Sequence, residues 1–126
     1  MLSNYMDGYS SIGLVNSVVE GIQEKKGTNI VILDLREVEY AICDYFVICD
    51  GNSSTHVDSI ADSVEETVRQ QTGEKAFHVE GYNNAQWIVL DYVDVIVHVF
   101  QRPVREYYGL EELWSDAKRK VIDNIF

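Results

Sequence analysis

Proline, cysteine and basic side chains are all scarce in this chain of 126 residues. A single proline, Pro103, and the lack of any Gly/Ser-rich or low-complexity stretch leave no segment with the composition of a linker. The two cysteines, Cys43 and Cys49, lie close together without CxxC spacing, which argues against a zinc site or a disulfide framework. We therefore expect one domain over residues 1–126, with both thiols reduced and buried.

The shortage of basic residues makes the chain strongly acidic. Lys and Arg number 10 against 21 Asp and Glu, which gives a formal net charge of −11. This charge opposes contact with a phosphate backbone, so direct DNA binding is not expected, and it favours either a basic partner or solubility alone. No apolar run approaches the roughly 18 residues of a membrane span, and residues 1–11 lack the basic and apolar regions of a signal peptide. These absences predict a cytoplasmic protein that does not bind membranes.

The hydrophobic pattern predicts eight elements in the order αββαβββα. Apolar residues at helical spacing indicate three helices, over residues 15–22, 57–68 and 110–121. Apolar and β-branched runs indicate five strands, over residues 29–35, 45–49, 76–80, 86–91 and 94–100. Several strands are apolar at both even and odd positions, as in a sheet covered on much of both faces. The predicted fold class is therefore α/β, a mixed five-stranded sheet flanked by helices.

Six ordered blocks in the second half of the chain carry a family resemblance. They are Phe46-Val47-Ile48-Cys49-Asp50-Gly51-Asn52-Ser53-Ser54, Val79-Glu80-Gly81, Gln86-Trp87-Ile88-Val89-Leu90-Asp91-Tyr92, Asp94-Val95-Ile96-Val97-His98-Val99-Phe100, Arg105-Glu106-Tyr107-Tyr108 and Leu110-Glu111-Glu112-Leu113-Trp114. Together they resemble the ribosomal silencing factors, the Iojap-related family. A long set of ordered blocks is far more specific than one short motif.

The resemblance implies a nucleotidyltransferase-like topology without the catalytic site, and a homodimeric binding factor rather than an enzyme. It also implies binding to the large ribosomal subunit through a basic protein on its intersubunit face, the fourteenth in universal numbering. Occupation of that surface would block joining of the small subunit and repress translation when nutrients are scarce. No cofactor is implied.

Two features depart from the family pattern. Where the family usually has Asp-(Tyr or Leu)-Gly-Asp, this chain has Asp91-Tyr92-Val93-Asp94. A two-residue type I′ turn would need a positive φ angle at Val93, which is unfavourable for a β-branched residue, so either the turn type differs or the loop is longer. The chain also runs past the usual end of the family, so residues 115–126 are expected to form a C-terminal extension.

The predicted partner-binding residues surround the strand over residues 86–91 and the hairpin after it. They are Trp87, Leu90, Asp91, Tyr92, Asp94 and Tyr108. Alternation places Trp87 on the face opposite Ile88, and if helices cover the Ile88 side, Trp87 lies on the more open face; the pattern also fits a core residue. Asp91 and Asp94 fit either pairing with a basic protein or ordinary turn chemistry. Trp114 lies on the apolar stripe of the last predicted helix and is expected to pack there.

No metal site is expected among His56, His78 and His98. The three histidines lie in separate predicted elements and lack the spacing of a helix-borne metal site. The strand position of His98 between two valines indicates a hydrogen-bonded sheet residue.

Two other functions fit the sequence. The segment Gly51-Asn52-Ser53-Ser54 joins a strand to a helix, and it fits either a helix cap or a phosphate cradle. The alternative function is therefore a nucleotidyltransferase-like, nucleotide-binding enzyme that would use this segment and the carboxylates of Asp91 and Asp94 with a divalent metal. A third is an assembly subunit whose dimer is its whole function.

Overall fold

Six strands form one mixed sheet in the computed structural model, which describes residues 11–125. Helix α1 (Ser11–Glu24) leads into strands β1 (Thr28–Asp34) and β2 (Tyr45–Gly51), helix α2 (Ser54–Thr72) and strands β3 (His78–Glu80), β4 (Trp87–Asp91) and β5 (Val95–Gln101). Two short helices, α3 (Arg102–Tyr108) and α4 (Leu110–Leu113), precede strand β6 (Lys118–Ile122). The predicted α/β class and mixed sheet are confirmed, with one strand more than expected.

The strand order across the sheet is β3-β4-β5-β2-β1-β6. Strands β2 and β5 run parallel at its centre, and the other neighbouring strands are antiparallel. All residues of β2 are buried, which explains why this strand reads as a continuous apolar run. None of the helices within residues 11–125 is long and apolar enough to cross a membrane.

Helices α1 and α2 pack together on one face of the sheet. Gly21 permits the close approach, because a Cβ atom at that position would lie 2.8 Å from the Cα atom of Val64. The Oγ atom of Ser53 caps α2 by accepting a hydrogen bond from the backbone N–H of His56 at 3.1 Å. Gly73 ends the helix in the left-handed conformation at φ 79°. Of the two roles that the sequence allows for residues 51–54, the helix cap is therefore the one observed.

The opposite face of the sheet is covered over only part of its width. Residues 35–44 and the segment from α3 to β6 pack over the half formed by β1 and β2. The buried side chains of this second core are Val31, Leu33, Leu35, Cys43, Phe46, Ile48, Phe100 and Leu110. Strand β4 is less completely covered on this face, because its outward residues Trp87, Val89 and Asp91 remain partly exposed.

The prediction of a helix over residues 110–121 is wrong beyond its first turn. Gly109, at φ 55°, ends α3, and α4 stops at Leu113 after a single turn. Residues 118–122, expected in the C-terminal extension, instead form β6 and pair with β1 in antiparallel register. The helical spacing of apolar residues in this segment is a coincidence. The edge of β1 offers the backbone N–H and C=O groups of the segment hydrogen-bond partners, and local periodicity does not reveal that option.

Both cysteines are free and buried, as expected. Burial raises the pKa of the Cys43 thiol to about 11, and it raises the pKa of Cys49 as well. Both thiols are therefore protonated at neutral pH, a state that gives little nucleophilic reactivity.

Candidate functional site

The uncovered half of the sheet presents large side chains to the surface. Alternation along β4 points Trp87, Val89 and Asp91 away from the helices, and these residues lie opposite Phe100, His98 and Ile96 of β5. Four of the six are partly exposed: Trp87, Val89, Asp91 and Ile96. These four residues, together with Tyr108 at their border, are called the open face below.

Trp87 is held on three sides within the open face. Its ring lies 4.8 Å from that of Phe100 and 4.8 Å from that of Tyr108, measured between ring centroids. Its indole Nε1–H donates a hydrogen bond to Nδ1 of His98 at 3.1 Å. Trp87 remains partly exposed, and Tyr108 is 50% exposed. Trp87 is therefore neither fully buried in the core nor free on the surface, because its neighbours hold a partly exposed side chain in place.

His98, which accepts this hydrogen bond from the neighbouring strand, is itself buried. It is 6% exposed and meets the ring of Phe46 edge-on, with centroids 4.6 Å apart. Burial lowers the pKa of His98 from its ordinary value of 6.5 to about 4, so the imidazole is neutral at physiological pH. A neutral ring that accepts at Nδ1 carries its proton on Nε2, and this buried atom has no hydrogen-bond partner among the described residues. The prediction that His98 is a hydrogen-bonded sheet residue is confirmed, and its hydrogen-bond partner is Trp87.

The border of the open face is acidic. Residues 76–101 contain three carboxylates, those of Glu80, Asp91 and Asp94, and no Lys or Arg. Oδ1 of Asp91 accepts a hydrogen bond from the backbone N–H of Val93 at 2.8 Å, so the turn chemistry considered for this residue is present. Glu80 and Asp94 are exposed. The formally charged side chains in this range are therefore all negative, which favours the approach of a cation.

The hairpin between β4 and β5 contains a strained residue. Val93 has φ 75°, and the backbone N–H of Asp94 donates to the carbonyl oxygen of Tyr92 at 2.9 Å across it. A hydrogen bond that spans one residue defines a γ-turn, and its form with positive φ is rare. Of the two outcomes expected for this hairpin, the first holds: the turn type differs from a type I′ turn.

Two of the six predicted contact residues are not on the surface. Leu90 is 0% exposed and Tyr92 is 5% exposed, and both belong to the core beneath α1 and α2. The alternation of β4 gives the reason for Leu90, because it shares the helix-covered face with Ile88. The prediction that these two side chains contact a partner is therefore wrong for the surface that this structure presents. Trp87, Asp91, Asp94 and Tyr108 remain accessible.

The other tryptophan belongs to the covered half of the same face. Trp114 stacks on Tyr40 at 5.3 Å between centroids and meets Phe46 edge-on at 5.4 Å. The predicted packing role of Trp114 is confirmed, although it follows a single turn of helix instead of lying within a long one.

A buried group of charges fixes α3, the helix that carries Tyr108. Nη1 of Arg105 donates to Oδ2 of Asp50 at 3.0 Å, and Nη2 donates to Oε2 of Glu111 at 3.0 Å. Asp50 is 1% exposed and Arg105 is 8% exposed, so the pair is desolvated. Sequence reasoning missed this group. A signal for it was the presence of Asp50 and Arg105 in separate blocks of the family resemblance.

The groups needed by the alternative enzyme do not meet. The N–H of Asn52 donates to Nδ1 of His56 at 3.1 Å, and Ser53 accepts from the helix, so the loop satisfies its own donors. Gly51 lies opposite Gln101 at one end of the β2–β5 pair, and Asp94 precedes the other end. Six residues of strand separate these ends, a distance of roughly 20 Å. Within residues 11–125, no three His, Cys, Asp or Glu side chains are grouped so that they could hold a metal ion.

Comparison with known proteins decides the family. A family model described as "Ribosomal silencing factor during starvation" matches residues 9–125. The chain belongs to the ribosomal silencing factor family. A silencing factor from Halalkalibacterium halodurans is 37% identical over 112 residues, which cover 89% of this chain and 94% of the relative. Another from Haemophilus influenzae is 41% identical over 104 residues, covering 82% of this chain and 100% of the relative.

The silencing factor fold is also supported by a solved structure. A crystal structure of a protein from Bacillus halodurans superposes with a TM-score of 0.70 at 37% identity, covering 81% of this chain and 93% of the other. The relatives are named as silencing factors, which are regulatory proteins, and not as enzymes. The family match extends to residue 125 and so includes β6.

Proposed function

We propose that this silencing factor binds the large ribosomal subunit in the cytoplasm and blocks joining of the small subunit, which represses translation under nutrient limitation. Its partner is a basic protein on the intersubunit face of the large subunit, the fourteenth in universal numbering. Family membership supports the ribosomal role, and the open face supports the mode of binding. The alternative enzyme is not proposed, because its required groups lie at opposite ends of the sheet.

The observation that carries the proposal is that Trp87 is partly exposed on the open face and is held there by contacts with Phe100, Tyr108 and His98. Tryptophan and tyrosine are enriched among residues that dominate binding energy at interfaces, and here Trp87 lies beside Tyr108. Asp91 and Asp94 border the hairpin, where carboxylates favour a basic partner and steer its approach. The proposed contact residues are therefore Trp87, Tyr108, Asp91 and Asp94.

The experiment measures binding of the full chain to isolated bacterial large subunits, and then the rate at which small subunits join them. Trp87→Ala should weaken binding by at least about thirtyfold, which corresponds to roughly 2 kcal/mol for a central interface residue. The same variant should lose its effect on subunit joining while remaining folded by circular dichroism.

The matched control is Trp114→Ala, the other tryptophan of the chain. It removes a packed side chain from the covered half, so it should lower the free energy of unfolding while the folded fraction keeps near wild-type affinity. A folded Trp87→Ala protein with wild-type affinity would contradict the assigned site. No binding of the wild-type chain to large subunits would contradict the proposed function itself.

Contact with a protein instead of ribosomal RNA predicts a moderate dependence on salt. A contact that neutralised six or more phosphates would lose roughly a thousandfold in affinity between low and moderate salt. We expect a much smaller loss and no binding to naked ribosomal RNA. The family resemblance also implies a homodimer, which light scattering of the purified chain would detect.

A further inference from the structure

We propose that His98 is a positioning residue, which fixes Trp87 so that the face of its indole ring, and not its N–H group, meets the partner. This inference rests on the proposed function, because it assigns a second residue to the same binding surface. It also limits the chemistry of the group that Trp87 contacts.

The geometry ties the indole to His98 rather than to solvent. Nε1 is the only polar atom of a tryptophan side chain, and here its hydrogen is donated to Nδ1 of His98 at 3.1 Å. Phe100 stacks on one face of the ring, with centroids 4.8 Å apart and 26° between the planes, and Tyr108 lies against the ring at 4.8 Å with a tilt of 48°. The three contacts come from different elements, β5 and α3, so together they hold one orientation of the indole.

The buried, neutral state of His98 suits its role as a hydrogen-bond acceptor for Trp87. An imidazole that is 6% exposed and surrounded by Phe46, Trp87 and Phe100 remains neutral, and neutrality keeps the Nδ1 lone pair available. Its other nitrogen, Nε2, is buried without a partner among the described residues. A buried donor without an acceptor is unfavourable, and a leucine of similar size would avoid that cost. What leucine could not provide at this position is an acceptor for the indole of Trp87.

The chemical consequence concerns the partner. Because the indole N–H is already used, Trp87 has no hydrogen-bond donor to offer and presents a ring surface. Ring faces bind apolar groups and cations, and the carboxylates of Glu80 and Asp91 border the same half-sheet. Trp87 is therefore expected to receive a basic side chain lying over its ring.

The test uses two substitutions of similar size at residue 98. His98→Asn keeps a side-chain acceptor, whereas His98→Leu removes it. Both are made in a Trp114→Phe background, so that Trp87 gives the only indole N–H signal in an NMR spectrum. We expect slow hydrogen exchange of that N–H in the parent and in His98→Asn, and exchange at least roughly tenfold faster in His98→Leu, because a hydrogen bond to a buried acceptor protects the proton.

Affinity for isolated large subunits supplies the second measurement. His98→Leu should weaken binding roughly fivefold to tenfold, the scale of one lost hydrogen bond, and His98→Asn should restore it. The same His98→Leu change is then made in a Trp87→Phe chain, in which residue 87 has no indole N–H. There it should change affinity by less than roughly twofold, because the bond through which His98 acts is already missing.

These measurements separate the inference from the proposed function. Wild-type binding, with an equal loss from His98→Leu whether or not the chain also carries Trp87→Phe, would overturn the positioning role and leave the function standing. Failure of His98→Asn to restore both slow exchange and affinity would overturn it as well. Absence of wild-type binding would contradict the function, and the inference with it.

Discussion

The two halves of the sheet face opposite α1 and α2 keep their apolar side chains from water in different ways. Over β1 and β2, the apolar side chains are buried beneath residues 35–44 and the segment that follows β5. Over β4 and β5, Trp87, Val89, Asp91 and Ile96 stay partly exposed, and the large rings pack against one another instead. In the covered half, other segments of the chain exclude water from the apolar side chains. In the open half, the aromatic rings reduce their exposure by packing against one another.

This difference shows how a surface can be ordered without being covered. Contacts with Phe100, Tyr108 and His98 restrict the conformation of the Trp87 side chain in the unbound protein. A side chain that is already fixed loses less conformational entropy on binding. The open half therefore has the property expected of an interface anchor, and the covered half has that of a core.

The largest expected effect comes from breaking the ionic attachment of α3 to the covered half. Arg105→Met removes the buried partner of Asp50 and should lower the free energy of unfolding by about 3 kcal/mol, because a buried carboxylate loses its main counter-charge. Arg102→Met is the control, since Arg102 contacts the same carboxylate but its side chain is 48% exposed; about 1 kcal/mol or less is expected. Urea denaturation measures both, and equal losses would show that burial does not distinguish the two arginines.

An effect of similar size should appear when the pH is lowered, because His98 lies buried beside the open half. The pKa of His98 is lowered from 6.5 to about 4 in the folded chain, so between these values the unfolded chain binds more protons. The contribution to stability is fully present above about pH 6.5 and is lost as pH falls to about 4, and a shift of this size is worth about 3 kcal/mol.

The control for this pH dependence is His98→Asn, which has no titrating group at the position. Its unfolding free energy, measured by urea denaturation at several pH values, should fall less steeply than that of the wild type between pH 6.5 and about 4. Parallel curves for the two proteins would contradict the burial of a neutral imidazole beneath Trp87.

The smallest effect concerns the hairpin at the end of the open half. Val93→Gly should raise the free energy of unfolding by about 1 kcal/mol, because glycine adopts φ 75° without the strain of a β-branched residue. The side chain is 56% exposed, so little packing is lost. Val93→Ala keeps a Cβ atom and should gain less than half as much. Destabilisation by glycine, seen as a lower urea midpoint, would mean that Val93 packs more than its exposure indicates.

The sequence predicted those parts of the fold in which local pattern and tertiary environment agree. The stripe of α1, the Ser53 cap and the central strands all follow from spacing and residue type. The sequence failed over residues 114–121, the later part of the last predicted helix, where a chance helical spacing competed with a free sheet edge. Which of these wins depends on whether β1 has an unpaired side, and no window of the local sequence contains that information.

The candidate site divides in the same way. Alternation along residues 86–91 placed Trp87 on the face opposite Ile88 and Leu90, but only the structure shows that the helices cover the side of Ile88 and so bury Leu90. The support of Trp87 by His98 and Tyr108 required the structure, because the three residues lie in β4, β5 and α3 and meet only after the strands pair and Arg105 anchors the helix.

By itself, the sequence determined the acidic charge, the α/β class and the side of β4 on which each residue lies, since all three depend on composition or on short periods along the chain. Only the tertiary structure decided which half of a sheet face stays open and which nitrogen of His98 accepts the hydrogen bond from the indole N–H of Trp87. Those outcomes depend on contacts between residues far apart in the chain, and the free energy of such contacts is set by packing that no local pattern encodes.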